Sequence, residues 1–126
     1  MNLWEAVDAA STKPFGYMRF TPGPGVGGHC LPIDPSYLSW AVQSKTNSSF
    51  RFVELANEVN RQIPDYVVAR AQEILERSSP AHHTEQSSVK KVLLLGIAYK
   101  PETSDIRESP ALKIARILSA AGHEVF

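Results

Sequence analysis

Apolar positions along this chain change their period several times, and each change marks an element. Leu3, Trp4, Val7 and Ala10 recur at helical spacing, and the pattern stops at "STKPFG", which predicts the end of an amphipathic helix. From Thr12 to Pro35 periodicity gives way to prolines and glycines every few residues. Phe15, Tyr17, Phe20, Val26 and Leu31 make that stretch too apolar for a solvated linker, so it reads as an ordered irregular loop. Asp34 is then a candidate N-cap and Pro35 the first helical residue of a short helix running to about Ser44. Phe52, Val53, Ala56, Val59 and Ile63 form one apolar stripe, continued by Val67, Val68, Ala71, Ile74 and Leu75. Pro64 interrupts it, lacking a backbone donor and crowding the previous turn, which predicts a kink or a break into two helices.

"SSPAHHTEQSS" is polar, carries Pro80, and reads as a linker. Beyond it "KVLLLGIAY" is a continuous apolar run of strand length, the pattern of a strand buried on both faces of a parallel sheet. "ESPALKIARILSAAG" follows as a helix, with Ser109 as cap, Pro110 at the first position and Gly122 just past the end, and "HEVF" opens another strand. Strand, helix and strand in this order make one βα unit of a doubly wound sheet, which needs further strands for completion. The pattern as a whole predicts a fragment: the end of one element, a helical middle and the start of an α/β domain.

Composition narrows the function. The 126 residues are 43% hydrophobic and 21% charged, enough for one modest domain or pieces of two. Thirteen basic residues balance thirteen acidic ones, so no broad electrostatic footprint for nucleic acid or anionic membrane exists. No apolar run approaches the roughly 20 residues of a membrane helix, and "MNLWEAVDAA" lacks the pattern of a secretory signal, which makes the cytoplasm the expected compartment. A single cysteine agrees with a reducing compartment and excludes zinc sites built on several cysteines.

That cysteine, Cys30, ends the run "GPGVGGHC". A lone cysteine is commonly an inert packing residue. Here four glycines precede it, permitting close backbone approach to a ligand, and a helix start four residues downstream favours a thiolate. A thiolate nucleophile in a shaped loop is therefore the leading reading. Pairing with His29 as a cysteine–histidine hydrolase, or use of Cys30 as a thiol peroxidase, is poorly supported, because adjacent side chains on an extended loop point apart. His82 and His83 lie in the polar linker and read as solvated. "GIAYKPETSDIRESP" reads either as a solvated connection or as a site, since ligands in open α/β sheets bind at the carboxyl ends of strands, where Tyr99, Lys100 and Arg107 lie. Lysine and arginine there suit phosphate groups, whereas Gly96 without a G-x-G-x-x-G pattern is no dinucleotide fingerprint.

"FTPGPGVGGHCLPIDPSYL" followed by "LGIAYKPETSDIRESPALKI" resembles the UDP-glucose/GDP-mannose dehydrogenase family over nearly the whole chain. "GPGVGGHC", with His29, is most similar to the branch acting on UDP-N-acetylated hexosamines, mannosamine or glucosamine. The resemblance implies a mainly α-helical nucleophile-loop and dimerisation region at 1–77, a linker at 78–89, and the first β-α-β of a Rossmann-like UDP-sugar-binding domain at 90–126. It implies NAD-dependent oxidation of the sugar C6 alcohol to a carboxylate in two steps, as in polysaccharide biosynthesis. Cys30 matches the nucleophile that forms a thiohemiacetal and then a thioester, and Asp34 matches an aspartate of the hydrolytic half. Thr21, Pro22, Gly23, Pro24, Gly25, Val26 and Gly27 match the segment wrapping the sugar nucleotide, and Tyr99 and Lys100 match substrate contacts from the UDP-binding domain. Lys13 matches a basic residue directed at a neighbouring subunit's substrate, and Arg107 an arginine that reaches NAD. The implied partners are a UDP-sugar and a second copy joined through the central helices, with no nucleic acid, membrane or metal. Complete relatives carry an NAD-binding Rossmann domain not located in this sequence, so the chain alone is expected to be inactive; the alternative is an inactive module for helical dimerisation or binding.

Overall fold

The computed structural model describes residues 1–77 and 89–126. Helix α1, Leu3–Ser11, starts under its own cap, because the Asn2 side chain accepts a hydrogen bond from the Trp4 amide at 3.0 Å and donates to Glu5 at 3.1 Å. The irregular segment after it is tied back by Arg19, whose guanidinium donates to Asp8 at 2.6 Å and to the Ser11 hydroxyl at 3.1 Å.

Helix α2, Asp34–Thr46, ends on Asn47 in the left-handed conformation, φ 53°, a residue type that tolerates it. Its start differs from the expected one: Ile33 is the N-cap and Asp34 the first helical residue, with no side-chain cap. The Cys30 carbonyl explains the change, because it already accepts from the amides of Ile33 (3.1 Å) and Asp34 (2.8 Å) and so starts the turn earlier.

Helix α3 runs unbroken from Arg51 to Arg77 with Pro64 inside it, so the expected division into two helices does not occur. Lys113, from a later helix, spans the proline: its ammonium donates to the Arg61 carbonyl and to the Asp65 carboxylate, both at 2.7 Å. Pro64 itself is buried, so packing further offsets the helix bond it cannot make.

The second half is one parallel βαβ unit. Strand β1, Lys91–Val92, pairs with β2, Glu124–Val125, and helix α4, Pro110–Ala120, crosses between them. Gly122, φ 87°, closes α4: its amide donates to the Ser119 carbonyl and that of His123 to Leu118, the double bond pattern of a Schellman end. Ser109 is the N-cap as expected, but its hydroxyl makes no cap bond and is buried without a partner among the described residues.

The run from Lys91 to Tyr99 is not the fully buried strand that its composition suggests. Pairing reaches only as far as Leu94, whose amide donates to the Phe126 carbonyl at 2.9 Å. Val92 and Leu94 face the core, whereas Leu93 and Leu95 are 68% and 88% exposed. The cause is the two-strand sheet: among the described residues, helices cover one face of it and nothing covers the other. The expected linker, apart from Val89, lies outside the described residues, together with His82 and His83.

The core joins both halves. Val68 of α3 meets Ile114 and Leu118 of α4, with Val67, Val92, Leu94, Ile117 and Val125 packed around them. Leu118, 1% exposed, is at its centre. Truncating it to alanine is expected to cost about 2–5 kcal/mol, and Leu95→Ala, which removes an exposed side chain, less than about 0.5 kcal/mol; urea unfolding of the two variants followed by circular dichroism measures both.

Candidate functional site

Two irregular segments, far apart in sequence, meet at one end of the sheet. The first is the loop before Cys30. At Val26 the backbone is held by the Asn60 side chain of α3: the Val26 amide donates to Asn60 Oδ1 at 2.7 Å, and Asn60 Nδ2 donates to the Val26 carbonyl at 3.0 Å. Gly27 and Gly28 follow and are buried. A β-carbon at Gly27 would lie 2.5 Å from the Glu108 carbonyl and 2.9 Å from Pro110. One at Gly28, φ 87°, would lie 2.7 Å from the Tyr99 ring. These two glycines are required by contact with the chain's own second segment, in addition to anything a ligand asks of them.

The second segment, 99–110, is organised by Asp105. Its amide donates to the Thr103 hydroxyl at 3.2 Å, and its carbonyl accepts from the Tyr99 amide at 3.1 Å. Its carboxylate accepts from the Arg107 amide at 2.9 Å, from Nε at 3.0 Å to each oxygen, and from Nη2 at 2.5 Å. Glu102 (φ 57°) and Glu108 (φ 51°) take left-handed backbone where the segment turns sharply. The two segments are joined directly, because the Gly28 amide donates to the Arg107 carbonyl at 3.2 Å.

Electrostatics follows from this geometry. Hydrogen bonds from the Arg107 side chain and amide, with its positive charge, hold the Asp105 carboxyl down at about 2 from an ordinary 3.8. Arg107 is raised above its ordinary value, chiefly by its hydrogen bonds to Asp105, with smaller contributions from the charges of Tyr99 and Cys30.

Cys30 is exposed and lies just before α2, in a recess of about 350 Å³ shared with Leu31, Asp34, Pro35 and Leu38. Asp34, one turn along, lines the same recess, so the two candidate catalytic side chains are together. No hydrogen bond joins His29 to Cys30 among the described residues. Lys100 places its ammonium 5.4 Å from the centre of the Tyr99 ring. Thr21, Pro22, Gly23, Gly25 and Val26 line an apolar cavity of about 850 Å³ against α3, which shares Leu31 and Pro35 with the Cys30 recess and has Phe52, Ala56 and Ile63 on its other wall. Pro24 lies in the same exposed stretch of loop. Lys13 sits at the end of α1 with its ammonium 5.6 Å from the Phe15 ring, within the chain's first segment.

Sequence reasoning overlooked Asn60 and gave Asp105 no role. An asparagine beside an apolar stripe, one turn before a helix-internal proline, is the signal that pointed to Asn60. The Thr-x-Asp-x-Arg spacing, with short side chains able to bond the backbone two residues on, pointed to Asp105. Among the described residues no group of three or more His, Cys, Asp or Glu side chains could hold a metal ion, and no helix is long and apolar enough to cross a membrane.

Residues 1–62 match the model of the UDP-glucose/GDP-mannose dehydrogenase family, central domain, and residues 93–126 match that family's UDP binding domain. The chain is similar to the UDP-N-acetyl-D-mannosamine dehydrogenase of Methanocaldococcus jannaschii, with 34% identity over 99% of this chain and 26% of the relative. Among solved structures, the UDP-D-ManNAc dehydrogenase of Pyrococcus horikoshii superimposes with a TM-score of 0.73 at 36% identity, over 99% of this chain and 28% of that one. The UDP-glucose dehydrogenase of Pyrobaculum islandicum gives 0.81 at 27% identity, over 99% and 27%. The chain thus spans about a quarter of the length of these relatives.

Because Asp105 titrates lower in the folded chain than its ordinary 3.8, its stabilising contribution is complete above about pH 4 and is lost as pH falls toward 2. Carboxyl NMR titration is expected to place Asp105 near 2 in the native chain and closer to 3.8 in Arg107→Ala.

Proposed function

Since this chain belongs to the UDP-glucose/GDP-mannose dehydrogenase family, we propose that it forms the nucleophile-bearing part of an NAD-dependent dehydrogenase that oxidises the C6 alcohol of a UDP-N-acetylhexosamine, or a UDP-hexose, to a uronate. The observation that carries this reading is the direct bond from Gly28 to Arg107, which brings the Cys30 loop and the start of the UDP-binding segment to one place. The division into 1–77, a linker at 78–89 and 90–126 fits the family matches, which end at residue 62 and resume at 93.

In this reading the Cys30 thiolate adds to the C6 aldehyde, forming a carbon–sulfur bond, and the aldehyde oxygen takes up a proton to give a thiohemiacetal. NAD supplies the two-electron acceptor for each of the two oxidations, alcohol to aldehyde and thiohemiacetal to thioester. Water then attacks the thioester carbon, the carbon–sulfur bond breaks, and the carboxylate leaves with Cys30 returned as thiolate. Asp34, in the same recess, is suited to orient that water and hold its proton. Tyr99 and Lys100 border the loop on the UDP-binding side, and the Thr21–Gly27 backbone wraps the sugar nucleotide. Arg107 keeps Nε and Nη2 on Asp105, and its Nη1 edge, mostly exposed and without a hydrogen bond among the described residues, fits a cofactor phosphate. Lys13 takes the role of a basic residue offered to a neighbouring subunit's substrate.

A second property rests on a separate observation. Leu38, Trp40, Phe52, Leu55, Val59 and Tyr66 of α2 and α3 are all about half exposed or more, large apolar side chains of the kind that a partner surface covers. It supports a homodimer through the central helices, and light scattering is expected to give twice the 13.9 kDa chain mass, a strict monomer overturning it.

The enzyme reading is tested by joining residues 1–126 to the remaining parts of the Pyrococcus horikoshii relative and supplying NAD and UDP-N-acetylmannosamine. Two NADH are expected per sugar, with Cys30→Ser lowering turnover by roughly 10³-fold or more. Equal turnover by the two proteins would remove Cys30 from the nucleophile's role.

A further inference from the structure

The double hydrogen bond between Asn60 and Val26 lies outside the chemistry described above, yet it holds the backbone four residues before Cys30. We propose that Asn60 is a positioning residue for Cys30, acting through the Val26 backbone; the proposal rests on the reading of Cys30 as nucleophile.

A primary amide has an acceptor and two donors in a fixed plane, so it can pair with one peptide unit much as a neighbouring strand does. Asn60 does this on a loop that pairs with no strand among the described residues, using Oδ1 for the Val26 amide at 2.7 Å and Nδ2 for its carbonyl at 3.0 Å. Val26 is half exposed, so its side chain contributes little anchoring. Gly25 (φ 125°) on one side and Gly28 (φ 87°) beyond it have backbone freedom that only an external clamp or close packing removes.

The constraint passes along the chain in a few bonds. With Val26 fixed, Gly27 seats against the Glu108 carbonyl and Gly28 against the Tyr99 ring, and the Gly28 amide reaches the Arg107 carbonyl at 3.2 Å. His29 and Cys30 follow, and the Cys30 carbonyl accepts the first amides of the turn into α2. The thiol is thereby held between a clamp on α3 and the start of α2. Removing the clamp at residue 60 is expected to loosen bonds that Asn60 does not touch.

Cys30 is the single cysteine of the chain, so a nitroxide label attached to it reports the loop alone. In the 126-residue chain, Asn60→Ala is expected to lower hydrogen-exchange protection of the Gly28 amide at least tenfold and to shift the label's spectrum toward fast motion. Asn60→Asp, nearly the same in shape, keeps the acceptor for the Val26 amide and loses the donor, and is expected to fall between the two; it serves if the alanine variant does not fold. Val68→Ala, which weakens the core without touching the loop, should leave the label's motion unchanged while the chain is folded. Unchanged Gly28 protection and label motion in a folded Asn60 variant overturn the proposal, as does an equal response to Val68→Ala. Neither readout needs turnover, so the outcome is independent of whether Cys30→Ser abolishes activity in the joined enzyme.

Discussion

Close contact between backbone and backbone at Gly27 is the constraint on which the rest of this structure turns. The Glu108 carbonyl, the Pro110 ring and Tyr99 occupy the volume that any side chain at residue 27 would need. Only because that space is empty of a β-carbon can the loop before Cys30 lie against the segment that opens α4. The meeting of the two segments in turn sets Gly28, two residues before Cys30, against Tyr99 and Arg107. Loop packing of this kind is intolerant of added volume, because the obstacle is main chain and cannot swing aside.

A small apolar core stands behind that contact. Val68, Ile114 and Leu118 are the center of it, and they join α3 to α4 across the division between the two family matches. Burial of three or four aliphatic side chains contributes on the order of 1.5–3 kcal/mol each, little for a chain of 126 residues. Much of the remaining apolar surface lies on α2, on α3 and on the uncovered face of the two-strand sheet. This is the distribution expected of a segment whose faces are shaped for further packing, and it agrees with the chain's span of about a quarter of its relatives.

Periodicity made the helices legible because each helix carries its own local signals. Pro110 and Gly122 stand where a helix start and end require such residues, and α4 appears as read, whereas α1, read as the end of a helix, is a helix of its own with Asn2 as its cap. The break allowed for at Pro64 does not occur, because the cost was judged from the helix alone, whereas the Lys113 bonds beside it come from α4, about fifty residues on. The apolar run at 91–99 misled for the opposite reason: its composition records a fully covered strand, and the described residues cover one face. At the site, Cys30 and Asp34 are adjacent as their spacing requires, since one helical turn fixes that distance. The partners of the glycines were not legible, because Tyr99 and Glu108 reach them only through the tertiary fold.

Lys113 has a meaning beyond the strength of its bonds, which at an exposed site is at most about 1 kcal/mol for the ion pair. It addresses two atoms on α3 at once, the Arg61 carbonyl and the Asp65 carboxylate, four residues apart on one face. Sliding α4 along α3 by one turn, about 5.4 Å, would lose both together. The pair therefore acts as a key that admits one helix register. Since Ser109 and Pro110 open α4 and Asn60 precedes Arg61, that register also fixes the width of the gap into which Gly27 fits. Two atoms on either side of a proline in a long helix thus serve here as reference marks for the spacing of the loop.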